Sequence, residues 1–297
     1  MTLFQGLSAF PITPADEQGR VDAAELRVLL KRLVDARVGS VGLLGSTGTY
    51  PYLTRAERRR AVEAAVDQVG GQVPVMVGIG ALRTDEAVRL GQDAKGAGAD
   101  AVLLAPVSYT PLTDEEVFTH FATVAEAVGL PLCIYNNPGT THFTFNDELI
   151  ARLSRVPQIY AVKNPAPDAS TLSGGLQTLR AAASPGFSLG YSVDWKAAEA
   201  MLAGGDAWYS VAGGLFPAAC MSIIAAMEAG QADEARALNA RLQPLWDLFV
   251  QFSSLRVMYA AVNLLGLCRA ELPRPILPLP EHARLRIGRV LDALSLD

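Results

Sequence analysis

The sequence predicts an α/β protein, a (β/α)8 TIM barrel with a C-terminal three-helix appendage. From Leu3 to about Gly214, eight short apolar runs alternate with longer stretches of helical period. The runs are nearly continuous in apolar character, as expected of parallel strands covered on both faces. Eight strand–helix pairs in strict order leave a barrel or a long doubly wound sheet. The count, the even spacing and the lack of a dinucleotide fingerprint after the first run favour the barrel.

The runs and their helices follow in order. LSAFPIT (7–13) leads to a helix over 22–37 that stops by Gly39, and SVGLLG (40–45) to one over 54–69 that stops at Gly70. PVMVGIG (74–80) precedes a helix over 84–97, and DAVLLAP (100–106) one over 114–128, closed by Gly98 and Gly129. PLCIYN (131–136), QIYAVK (158–163), FSLGY (187–191) and AWYSVAG (207–213) precede helices over 146–154, 168–182, 194–203 and 216–229. Thr54, Thr84 and Thr113, each with an acidic residue close behind, read as helix caps, and glycine suits the helix ends. From Gln231 onward there are three helical patterns and no strand signal. Residues 1–230 are thus expected to form the barrel that carries the active site. Residues 231–297 form a helical extension packed on it, with no flexible linker between.

Composition narrows the function. The chain of 297 residues has a net charge of −5 with mixed signs and no basic stripe, which argues against nucleic acid or an anionic membrane surface as partner. Cys133, Cys220 and Cys268 are scattered and odd in number, the pattern of reduced core cysteines in a cytoplasmic protein. Three histidines without a pair at ligand spacing make a catalytic metal unexpected. No signal peptide and no membrane-spanning run is read in the sequence.

In such a barrel, chemistry belongs to the C-terminal strand ends and the loops after them. Those positions hold Ser46, Thr47, Tyr109, Tyr135, Asn136, Lys163, Asn164, Gly190 and Ser210. There is no carboxylate pair and no Ser/His/Asp set among them. Of the four lysines, Lys31, Lys95 and Lys196 fall in helix patterns, whereas Lys163 ends an apolar strand. A desolvated lysine can attack a carbonyl, which an arginine cannot; the bland alternative is a structural ion pair. Tyr135 ends the preceding strand, where its hydroxyl can relay protons to a substrate bound at Lys163 or merely cap the core. The turn GSTGTY (45–50) offers backbone N–H groups and hydroxyls for a carboxylate. AGG (212–214) is either a phosphate cradle or an ordinary turn.

Together, GSTG at 45–48, YN at 135–136 and Lys163, 28 residues after Tyr135, resemble the family of dihydrodipicolinate synthase and N-acetylneuraminate lyase. The resemblance spans nearly the whole chain, to the RPILPL stretch before the last helix. It implies a class I aldolase-like lyase that forms a Schiff base between Lys163 and pyruvate or another 2-oxo acid, without a cofactor. It further implies Tyr135 as proton relay and Ser46 and Thr47 as the carboxylate site linking Tyr135 to a second tyrosine given by a neighbouring subunit. Tyr109 is the candidate for that tyrosine. Gly190 and Tyr209 match pocket-lining positions, and the implied assembly is a homotetramer built as a dimer of dimers.

Two departures bear on substrate. Dihydrodipicolinate synthases carry an arginine shortly after YN, where YNNPGTTHF has Thr140, and many relatives have glutamate where Thr49 stands. The outer pocket, with Asn137 and Thr140, is therefore expected to suit a neutral, hydroxylated tail, and the chain is not expected to serve lysine biosynthesis. The alternatives are an imine-based dehydratase or deaminase of a sugar- or hydroxyproline-derived 2-oxo acid, and a catalytically silent 2-oxo-acid sensor.

Overall fold

The computed structural model describes residues 3–296. Eight parallel strands close into a barrel in chain order: β1 (Gly6–Ala9), β2 (Ser40–Leu43), β3 (Val75–Gly78), β4 (Ala101–Leu104), β5 (Leu132–Tyr135), β6 (Ile159–Pro165), β7 (Ser188–Ser192) and β8 (Ala207–Ser210). The ring closes where β1 pairs with β8, Ala9 opposite Ser210. Around it lie α1 (Ala23–Asp35), α2 (Arg55–Val69), α3 (Thr84–Gly96), α4 (Asp114–Val128), the single turn α5 (Pro138–Thr141), α6 (Asp147–Leu153), α7 (Ala169–Ala182), α8 (Asp194–Leu202) and α9 (Pro217–Glu228).

Most strands are four residues long, shorter than the apolar runs that announce them. Residues beyond the ladder, such as Ile12 and Leu44, stay buried, so hydrophobicity alone does not mark where pairing stops. β6 is the longest: pairing with β7 runs on to Pro165, which leaves Lys163 inside the strand instead of at its end. Side chains alternate across each strand with period two. Cys133 and Tyr135, Ala161, and Ala207 and Tyr209 join the inner cluster, while Leu132, Ile134 and Val162 pack against the helices.

The caps hold with one change. Thr54 accepts from the Glu57 N–H, and Thr113 forms a full capping box with Glu116. Thr84 is instead the first residue of α3, and its hydroxyl meets Nδ1 of His120 at 2.9 Å. The first of the three C-terminal patterns is divided at Leu242, just before Pro244, into α10 (Ala232–Arg241) and α11 (Gln243–Phe252). A proline accepts only the first turn of a helix, which explains the new start. α12 (Ser254–Leu264) and α13 (Glu281–Leu294) complete the chain. Among the described residues no helix is long and apolar enough to cross a membrane. All three cysteines are unpaired and buried.

Candidate active site

Register places the central groups side by side: Tyr135 on β5 is opposite Lys163 on β6, which is opposite Gly190 on β7. Lys163 is only 3 % exposed. Its Nζ has no ion-pair partner among the described residues; it rests among aromatic faces, 3.6 Å from the centre of the Phe10 ring, 4.4 Å from that of Tyr135 and 5.8 Å from that of Tyr209. Burial without a carboxylate is what a nucleophilic amine needs. The ring faces are favourable surroundings for a cation.

Phe10 reaches this place because β2 makes room for it. A Cβ on Gly42 would lie 2.3 Å from the ring, and one on Gly45 2.6 Å from it. The two glycines therefore set the height of the floor under the lysine. Gly190 serves Tyr209 in the same way, since a Cβ there would sit 2.3 Å from the ring. Tyr209 is buried beneath the amine, with its hydroxyl accepting from Cys133 Sγ at 3.5 Å. Burial holds this phenol well above its ordinary range, so it stays protonated.

The Tyr135 hydroxyl accepts from Asn137 Nδ2 at 2.9 Å and lies 3.0 Å from Ser46 Oγ. With Asn137 donating, the phenol proton is free to pass toward Ser46. The hydroxyl in contact with Tyr135 is thus that of Ser46. Thr47 is buried beside it, and its own hydroxyl makes no hydrogen bond among the described residues. Tyr50, the last residue of the same turn, is buried, and burial first, then nearby Tyr135, pushes its phenol upward.

The remaining positions are less uniform. Thr140 lies on α5, exposed, and its hydroxyl donates to the Asn137 carbonyl at 3.2 Å. Asn136 donates from Nδ2 to Asn164 Oδ1 at 3.0 Å, which links the loop after β5 to the last residues of β6. Tyr109 is 96 % exposed and is not brought to Lys163 by its own chain. Arg180 is held by Asp206 at 2.9 Å, beside the start of β8 and away from the mouth.

One important residue escaped the sequence reading, which took it for an ordinary first residue of a helix. Asp194 is 3 % exposed and accepts from Trp208 Nε1 at 2.8 Å, Val211 N at 3.2 Å and Ala212 N at 3.0 Å. Its carboxylate thereby takes the backbone donors at the head of the AGG turn, which is closed to a phosphate in this arrangement. Burial raises its pKa, and these bonds together with the charge of Lys163 pull it partly back. Asp194→Ala would strand two buried donors and a third that is half-buried, and is expected to lower stability by about 2–4 kcal/mol. Chemical denaturation measures this, and an unchanged midpoint would show that water replaces the carboxylate.

Comparison with known proteins agrees with this fold. Residues 3–294 match the model of the dihydrodipicolinate synthetase family. The chain is 35 % identical over 289 residues to a protein of Alcanivorax borkumensis named 4-hydroxy-tetrahydrodipicolinate synthase, with 96 % of each chain covered. It resembles the crystal structure of a dihydrodipicolinate synthase from Agrobacterium tumefaciens at 58 % identity and a TM-score of 0.96, covering 98 % of both chains. It also resembles YagE, a prophage protein of E. coli solved in complex with pyruvate, at 26 % identity and a TM-score of 0.92 over the whole of both chains.

Proposed function

The chain belongs to the dihydrodipicolinate synthetase family and is a Schiff-base lyase, and we propose that Lys163 is its imine-forming residue, with pyruvate or a pyruvate-derived 2-oxo acid as the carbonyl partner. The observation that carries this reading is a buried amine without a carboxylate partner, beside a tyrosine hydroxyl that already touches Ser46. The pyruvate bound in YagE supports the choice of carbonyl partner.

In this reading the free amine attacks C2 of the 2-oxo acid and gives a carbinolamine. Tyr135 delivers the proton with which the C2 oxygen leaves as water, and the iminium remains over the Phe10 face. Loss of a C3 proton makes an enamine, whose C3 forms the new bond to an aldehyde carbon; cleavage runs the same steps backward. Lys163 itself supplies the electron sink. The Ser46–Thr47 turn holds the substrate carboxylate through hydroxyl and backbone donors, while Gly190 and Tyr209 shape the pocket wall.

The second substrate follows from what lines the outer site. Thr140 stands where an arginine would grip a second carboxylate, and Arg180 is committed elsewhere. Neutral donors and acceptors at Asn164, Thr140 and His142 suit hydroxyls better than a carboxylate. Burying an unpaired carboxylate costs on the order of a few kcal/mol. We therefore assign preference to a neutral-tailed, hydroxylated 2-oxo acid over aspartate semialdehyde plus pyruvate. The relatives' names carry the opposite expectation. Competition assays comparing kcat/KM for the two decide it, and efficient dihydrodipicolinate synthesis would overturn the assignment. Borohydride trapping with a panel of 2-oxo acids, read by intact mass, tests the imine itself. Product identification separates carbon–carbon cleavage from loss of water or ammonia.

A homotetramer, built as a dimer of dimers, is part of the same proposal. Tyr109 projects from the loop whose Val107 and Leu112 line a surface cavity together with the exposed Leu82. A second copy covering this face would bring its own Tyr109 to the turn at Ser46. The three unpaired cysteines fit a reducing, cytoplasmic setting.

A further inference from the structure

A second cavity, of about 440 Å³, opens among α12, the segment leading to α13, and the loop after β1. Three arginines line it: Arg256 from α12, Arg274 from the connecting segment and Arg284 from α13. None of their side chains has an ion-pair or hydrogen-bond partner among the described residues. Two carboxylates share the lining, Glu17 and Glu271, and Glu271 is held by Arg269 at 3.6 Å. Three uncommitted guanidinium groups thus face one uncommitted carboxylate. The local excess is two positive charges in a chain whose net charge is negative.

Guanidinium forks match carboxylate and phosphate oxygens two at a time, with more directional demand than a lysine would impose. The rest of the lining includes Leu264, Leu272 and Leu279, which offer apolar contact to a carbon skeleton. Tyr259 forms part of the wall, but its hydroxyl is already engaged, 3.3 Å from Thr49 Oγ1 and donating to the Thr13 carbonyl at 3.4 Å. Recognition therefore falls to the arginines.

We propose that this cavity binds a small organic polyanion with two or more charges, a short di- or tricarboxylate held by Arg256, Arg274 and Arg284 with its carbon chain on the leucines. The charge excess sets the ligand charge, and the apolar wall favours an organic acid over inorganic phosphate. The site is separate from Lys163 and does not depend on the imine chemistry.

Titration calorimetry on the assembled full-length protein tests it with succinate, glutarate and citrate. Acetate and inorganic phosphate serve as controls at equal ionic strength, and each titration is repeated with saturating pyruvate. At least one di- or tricarboxylate is expected to bind saturably, one per chain, whether or not pyruvate is present. Arg256→Gln and Arg284→Gln should each weaken it roughly tenfold or more, the scale of a charge-assisted hydrogen bond. Arg274→Gln, in the exposed connecting segment, gives the same reading if either helix variant fails to fold. Absence of saturable binding, as when a second copy covers the cavity, overturns the proposal. So does loss of binding in pyruvate, equal affinity for acetate or phosphate, or indifference to all three substitutions.

Discussion

Lys163→Arg is expected to fold and to give no borohydride adduct with any 2-oxo acid, with turnover lower by about 10⁴-fold or more. The substitution keeps the positive charge and the aromatic surroundings, so it removes the nucleophile with little electrostatic change. A guanidinium stays protonated and has no lone pair for C2. The remaining pocket would still bind the 2-oxo acid through the turn at Ser46, but no covalent intermediate would follow. Arginine is the longer side chain, and Nζ already lies 3.6 Å from the Phe10 ring centre, so some loss of stability from crowding is expected as well. Circular dichroism and thermal unfolding separate that loss from the chemical one. An adduct at undiminished yield would place the reactive amine elsewhere, with Lys31, Lys95 and Lys196 as the other lysines.

Much of this site was legible in the sequence because period-two alternation and strand order fix which strand ends meet. Tyr135 and Lys163 end up in register for that reason. Turns carry no such rule, so the sequence could not say which hydroxyl of Ser46 and Thr47 meets Tyr135, and the structure selects Ser46. Asn137, expected in the outer pocket, donates an amide N–H to the Tyr135 hydroxyl, a contact that no rule of sequence spacing fixes. Phe10 looked like one apolar residue among many in the first run. The only hint of its reach was glycine at 42 on the neighbouring strand and at 45 in the turn after it, which acquires meaning once β1 and β2 are known to pair. Asp194 was hidden differently, since acidic residues are ordinary at helix starts and nothing in sequence distinguishes the rare one that turns inward. Tyr109 lies beyond what one chain can show, because its proposed role requires a neighbour.

Tyr135→Phe should lower kcat by roughly 10²- to 10⁴-fold, the usual scale for losing a positioned acid–base group. The ring, its packing and its face toward Lys163 all remain; one hydroxyl and its two contacts are removed. Asn137 Nδ2 and Ser46 Oγ then lose their shared partner, and the carbinolamine must lose its oxygen with a proton from water. Imine formation with pyruvate is expected to slow without vanishing, because the amine is untouched. That split distinguishes this variant from Lys163→Arg, in which trapping vanishes altogether. KM for the 2-oxo acid should change far less than kcat, since the hydroxyl acts on proton transfer more than on binding. Stopped trapping with borohydride at graded times gives the imine rate, and steady-state turnover gives kcat. A variant with near-normal values of both would show that Tyr135 only packs against the lysine, and the proton relay would then have to be sought in Ser46, Thr47 or Tyr50.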